Sequence, residues 1–264
     1  MCLALLALDT HPRYRVIVAA NRDEFYDRPT APAAPWDDAP EVLAGRDPQA
    51  GGTWLGVTAS GRIALVTNYR EGRRPPPGAP SRGGLVADYL RGDETPGEYL
   101  GRIVAHDAAY PGYNLIVGSR DTLIYHSNRG GETRTLAAGV YGLSNHLLDT
   151  PWPKVARSKA GLFRLLDRDG EPLIDGLLDL LADHSQPADH DLPDTGIGLE
   201  WERLLGSAFI ASDTYGTRSS TVLLVERGGT VTFVERTFGP GGVRVGTVRH
   251  AMAGSSPPAR RAAR

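Results

Sequence analysis

The chain has 264 residues, with 29 Lys+Arg against 31 Asp+Glu and a formal net charge of −2. That near-neutral balance removes the electrostatic footprint of a general nucleic-acid binder, and 41% hydrophobic content suits a folded domain. The single cysteine is residue 2, which excludes an internal disulfide framework, a cysteine-rich zinc site and an iron–sulfur cluster.

Apolar runs at 3–8 and 14–20, separated by Asp9-Thr10-His11-Pro12-Arg13, predict a hairpin. A second hairpin is expected from 53–59 and 62–69 about Ser60-Gly61. Residues 73–82, rich in proline and arginine, read as a surface loop of polyproline character. Helices are expected at 85–90 and 96–109, then a three-strand meander at 113–118, 123–126 and 133–143. Two more helices are expected at 153–166 and 172–183. The polar stretch 182–198 holds His184 and His190 among aspartates; its spacing fits no metal-ligand motif, and it reads as a solvated loop. Strands at 208–212, 217–226 and 230–237 complete the order. Hairpins in blocks, alternating with paired helices, argue for an α+β architecture of antiparallel sheets covered by helical layers. Residues 1–252 read as one domain and 253–264 as a frayed tail. No stretch approaches the roughly 18 apolar residues of a membrane span, and the apolar N-terminus reaches Asp9 without a basic leader. A cytoplasmic protein is the expectation.

Removal of Met1 would leave Cys2 carrying both a thiol and a free α-amine, with ordinary pKa values near 8.5 and about 7.7–8.0. The amine can take the thiol's proton, so the nucleophile brings its own base. A hairpin centred near His11 sets Cys2 opposite about Ala20. Asn21-Arg22-Asp23-Glu24 then emerges beside it as a polar cluster following the strand. Asp23 can hold the amine, Arg22 can favour thiolate and Asn21 can donate to an oxyanion. Asn68 and Asn145 each close an apolar strand and offer further oxyanion donors. Arg218 enters an apolar strand and can bind a carboxylate or steady the thiolate. Each residue also has a plain structural reading: a buried strand starter, a charged turn, turn-forming asparagines, a snorkelling edge arginine.

The motifs Met1-Cys2, Asn21-Arg22-Asp23-Glu24, Gly51-Gly52-Thr53-Trp54-Leu55-Gly56, Thr67-Asn68-Tyr69-Arg70, Pro111-Gly112-Tyr113-Asn114-Leu115, Leu143-Ser144-Asn145 and Tyr215-Gly216-Thr217-Arg218-Ser219-Ser220-Thr221 resemble the NRDE family. This is also called the transport and Golgi organisation protein two family. The resemblance runs from residue 1 to about 240. It implies a fold similar to the N-terminal-nucleophile hydrolases, an αββα sandwich. It extends more weakly to penicillin V acylases and bile salt hydrolases, whose catalytic cysteine, aspartate, two asparagines and late arginine fall on Cys2, Asp23, Asn68, Asn145 and Arg218. One departure stands out: Ala20 occupies the place of those enzymes' early arginine, and Arg22, which could substitute for it, is expected on the opposite strand face. The resemblance implies two functions. One is an amide hydrolase or acyltransferase for a small-molecule amide, using Cys2 and neither metal nor cofactor. The other is a non-catalytic carrier of haem or of a lipid or acyl-CoA. In the carrier, Cys2 or His146 would be the axial ligand, and Trp54, Tyr69 and Tyr113 would line an apolar pocket.

Overall fold

The computed structural model describes residues 2–72, 78–131 and 133–254. The chain runs β1 (Cys2–Leu8), β2 (Tyr14–Phe25), β3 (Ala31–Trp36), β4 (Ala39–Arg46), β5 (Leu55–Thr58) and β6 (Arg62–Asn68). Helices α1 (Arg82–Arg91) and α2 (Pro96–Val104) follow, then β7 (Tyr113–Ser119), β8 (Leu123–Ser127), β9 (Thr133–Thr135) and β10 (Gly139–Leu143). The chain continues through α3 (Pro153–Leu165), α4 (Gly170–Leu181), α5 (Leu199–Leu204), β11 (Tyr215–Glu226), β12 (Val231–Phe238) and β13 (Arg244–Met252).

The strands form two antiparallel sheets. One has six strands in the order β10-β1-β2-β11-β12-β13; the other is a seven-stranded meander from β3 to β9. Helices α1 and α2 cover the seven-stranded sheet, and α3 and α4 cover the other. The apolar runs of β1 and β2 are continuous because both faces are buried. Ala4, Leu6, Val16 and Val18 pack with residues of the opposite sheet, such as Leu65 and Val117. Leu3, Leu5, Ile17 and Ala19 pack with Leu162, Leu173 and Leu177 of the helical layer. This is the four-layer α/β/β/α arrangement expected. Among the described residues, no helix is long and apolar enough to cross a membrane.

The first hairpin is displaced from its expected register. Asp9 takes a positive φ of 52° and donates its N–H to the Arg15 carbonyl, so the turn centres on Pro12 rather than His11. Cys2 therefore faces Arg22, and Ala4 faces Ala20. The polar run Asn21–Glu24 does not emerge as a turn; it continues β2, with Asn21 and Arg22 paired to β1 and all four residues paired to β11.

Other expectations also change. The run 133–143 divides into β9 and β10, which belong to different sheets. Residues 208–212 are irregular and are held by the Thr217 side chain and by backbone bonds to Asp183 and Thr217. The second helix ends at Val104, with a separate 3-10 turn at Asp107–Ala109. Strands β3, β4 and β13 and the short α5 were not expected. Arg82 belongs to the first turn of α1, which Ser81 caps by accepting from the Gly83 N–H. The rest of the expected proline-rich loop, at 73–77, and the tail from 255 onward lie outside the described residues.

Candidate active site

A cavity of about 330 Å³ lies where β1 begins and where β2, β4 and β6 end. Cys2, Arg22, Asp23, Trp54 and Asn68 are on its wall, and Arg82 enters from the start of α1. Arg22 pairs directly with Cys2 and so lies on the same sheet face, contrary to the expectation that it would point away: it shares strand parity with Ala20, and the two-residue register shift moves it directly across from Cys2.

Cys2 is buried, and the Asp23 backbone N–H is hydrogen-bonded to its thiol. Burial pushes the thiol pKa up; the Asp23 charge adds to the rise, while the Asp23 N–H and the Arg22 charge oppose it. The Asp23 carboxylate accepts from the Thr217 hydroxyl at 2.8 Å. Burial raises its pKa, and nearby Lys154, the Thr217 bond and Arg22 counteract that rise. One residue thus meets Cys2 through its backbone while its side chain is tied into the layer behind.

Asn21 does not line the cavity. Its side-chain N–H groups donate to the carbonyls of Leu181 and Ala208, both at 2.8 Å, and its oxygen accepts from Ser220 at 2.6 Å. It pairs with Leu3, whose side chain faces the helical layer. The expected oxyanion donor is a bridge between β2, α4 and β11.

The two strand-end asparagines also part company. Asn68 is half-buried on the cavity wall. Asn145 is fully buried off the wall, and its amide donates to the Asn68 carbonyl at 2.9 Å. Neighbouring Ser144 donates to the Cys2 carbonyl at 3.0 Å. The end of β10 therefore braces both Cys2 and Asn68.

Arg218 does not reach Cys2. The pairing of β11 with β2 shifts between Thr217 and Ser219, a bulge that turns Arg218 out of the ladder. Its guanidinium donates to the carbonyls of Phe25, Tyr26 and Arg28 and lies 5.4 Å from the Tyr26 ring centroid. It holds the connection from β2 to β3.

Of the expected apolar liners, Trp54 alone is on the wall. Tyr113 is buried away from it, donating to Asp107, which also bonds His126. Tyr69 and His146 stack with ring centroids 4.9 Å apart, and His146 bonds Thr150. Burial lowers the His146 pKa. No cluster of three metal-ligating side chains occurs among the described residues.

Glu24, part of the polar cluster expected beside Cys2, is on the wall, whereas sequence reasoning missed Arg82, Arg28, Arg46, Asp47 and Glu235 there. The available signal was the capping sequence Ser81-Arg82-Gly83, which marks a helix start beside the Gly51-Gly52-Thr53 turn. Gly52 lies so close to Gly83 that an added Cβ would sit 2.4 Å from its carbonyl carbon. The Thr53 N–H donates to the Gly83 carbonyl.

A Transport and Golgi organization protein 2 homolog of Bos taurus is 40% identical over 258 residues, covering 90% of this chain and 93% of that protein. The Homo sapiens homolog is 36% identical over the same coverage. The Drosophila melanogaster Transport and Golgi organization protein 2 is 29% identical, covering 90% of this chain and 92% of its own. Among solved structures, the Caenorhabditis elegans N-acylethanolamine-hydrolyzing acid amidase ortholog superposes with a TM-score of 0.45. Its identity is 12%, over 84% of this chain and 92% of that one. A variant conjugated bile acid hydrolase from Clostridium perfringens gives 0.41 at 10% identity, over 96% and 92%. The sequence profile of one family matches residues 1–240, and with relatives this similar along nine-tenths of its length, the chain belongs to the Transport and Golgi organisation 2 family.

Proposed function

We propose that the protein is a cysteine amide hydrolase or acyltransferase that acts on a small-molecule amide after Met1 is removed. The observation that carries this reading is the single cysteine on a cavity wall, with the Asp23 N–H at its sulfur and Arg22 directly across the strand pair. In the unprocessed chain burial favours the protonated thiol. Loss of Met1 supplies a local base, the α-amine of Cys2 itself.

The thiolate then attacks the amide carbonyl carbon, and the sulfur–carbon bond forms as the carbonyl π bond becomes an oxyanion. Asn68, from the cavity wall, donates to that oxygen. The α-ammonium returns its proton to the leaving nitrogen as the carbon–nitrogen bond breaks. Water, deprotonated by the amine, attacks the thioester; the acid leaves and the thiol is regenerated. An amine in place of water gives acyl transfer. Asn145 and Ser144 act as positioning residues, because they touch Asn68 and Cys2 rather than the reacting atoms.

Haem or lipid carriage receives less support. His146 is engaged with Thr150, Tyr69 and Trp152 away from the cavity, which leaves Cys2 as the wall's one thiol.

Intact-mass measurement and iodoacetamide labelling test the reading together. The expected result is a chain lacking Met1, labelled once, with labelling abolished in Cys2→Ala. Quantitative retention of Met1 would sink the proposal.

A further inference from the structure

Among the described residues the cavity wall carries four arginines, and they differ in how their charge is met. Arg28 is 2.6 Å from Asp47, and Arg46 is 2.6 Å from Asp38. Arg22 and Arg82 have no carboxylate oxygen of any described residue within 4.0 Å. Arg22 donates to the Thr30 hydroxyl at 3.0 Å and Arg82 to the Gly112 carbonyl at 2.9 Å, both neutral acceptors. Arg22 is only 8% exposed. Burial lowers the Arg82 pKa, against the pull of Cys2, Glu24 and Glu71, none of which bonds the guanidinium.

A guanidinium stays charged at any physiological pH, and buried charges in proteins are normally paired. Glu235 and Asp23 feel the Arg22 charge without bonding it: Glu235 is engaged by the Ala33 N–H and the Thr221 hydroxyl, and Asp23 by the Thr217 hydroxyl. Arg22 lies across the strand pair from Cys2, and Arg82 shares the cavity wall with both and interacts electrostatically with Cys2, so an anion held by the two arginines would share that cavity with the sulfur. Glu24, Asp47 and Glu235 share the wall and would repel a dianion such as phosphate more strongly than a single carboxylate.

Building on the amide-hydrolase reading, we propose that the substrate is an amide bearing a carboxylate, and that Arg22 and Arg82 bind that carboxylate beside Cys2. The forked donors of a guanidinium match a carboxylate's two oxygens. Trp54, Val66 and Pro111 offer the uncharged remainder an apolar wall.

Two measurements test this. The first compares alkylation of Cys2 by iodoacetate and iodoacetamide, where the thiolate displaces iodide from either reagent and only the charge differs. The iodoacetate-to-iodoacetamide rate ratio is expected to be about tenfold above that of free glutathione. Arg22→Gln or Arg82→Gln should return it to the glutathione value, whereas Arg→Lys at either site should keep part of the preference. If both rates fall equally in the Gln variants, the arginines serve the thiolate alone and the carboxylate site is overturned while the nucleophile stands. The second measurement does not depend on Cys2 reactivity. The Tm of Cys2→Ala protein is expected to rise with N-octanoylglycine and not with its methyl ester. Equal shifts, or no shift with either, overturn the carboxylate site even where Cys2 proves unreactive.

Discussion

Asn21 and Asn68 show how two chemically identical side chains acquire different duties from strand parity. Asn21 falls on the helix-facing side of β2 and satisfies two carbonyls and a hydroxyl in a fully buried place. Truncation leaves those groups without partners in a region water does not reach, at about 1–3 kcal/mol for each group stranded. Asn21→Ala is therefore expected to lower unfolding stability in urea by about 3 kcal/mol while leaving the Cys2 alkylation rate of the folded protein unchanged. A loss of labelling without loss of stability would return Asn21 to the active site. The duty of Asn21 follows from strand parity, which sets it on the face opposite Cys2 in either register, whereas the place of Arg22 directly across from Cys2 was not legible because it needs a two-residue change of register. That change depends on the positive φ of Asp9, and an aspartate ahead of a turn is compatible with several hairpin lengths. Cys2, Asp23, Asn68 and Trp54 were legible because each abuts an apolar run whose strand character is unambiguous.

At the scale of elements, the strands that sequence patterning located are those with branched or leucine-rich runs, such as β1, β2, β6 and β11. Strand β3, Ala-Pro-Ala-Ala-Pro-Trp, has the composition of a loop. It is tolerated because it lies at the edge of its sheet, where a proline need not supply a ladder hydrogen bond. The division of 133–143 between two sheets was invisible for a different reason: alternation marks strands but does not say which sheet each joins. The contact between the Gly51-Gly52-Thr53 turn and the start of α1 is equally non-local, and it places Arg82 on the cavity wall. A methyl group at Gly52 would collide with backbone rather than with a yielding side chain. Gly52→Ala is expected to cost about 1–3 kcal/mol and to abolish the preference of Cys2 for iodoacetate, read by urea unfolding and by the alkylation ratio. A variant that keeps both would show that α1 is not held in place by this contact.

The whole molecule stores a buried charge network behind the site. Lys154 of α3 donates to the Leu205 carbonyl at 2.9 Å, and Arg70 pairs with Glu202 at 2.5 Å with both side chains 3% exposed. Burial, reinforced by Arg70, brings the Lys154 pKa down to about 8 from an ordinary 10.5, against the pull of Asp23 and Cys2. Between about pH 8 and pH 10.5 the unfolded chain holds this proton and the folded chain releases it, so folding stability gains with rising pH across that window. Relative to Lys154→Met, the wild type is expected to gain about 2–3 kcal/mol between pH 7 and pH 10, measured as urea unfolding free energies of both proteins. A constant difference between the two would mean that the lysine stays charged in the fold. The four-layer arrangement that buries this network also sets β1 between β10 and β2, with its first described residue in the cavity wall. A group joined to the amino side of Cys2 blocks the α-amine that the proposed reaction uses as its base. An amino-terminal purification tag would thus silence the chemistry it was meant to reveal, so carboxyl-terminal fusions are the form in which activity of this protein should be measured.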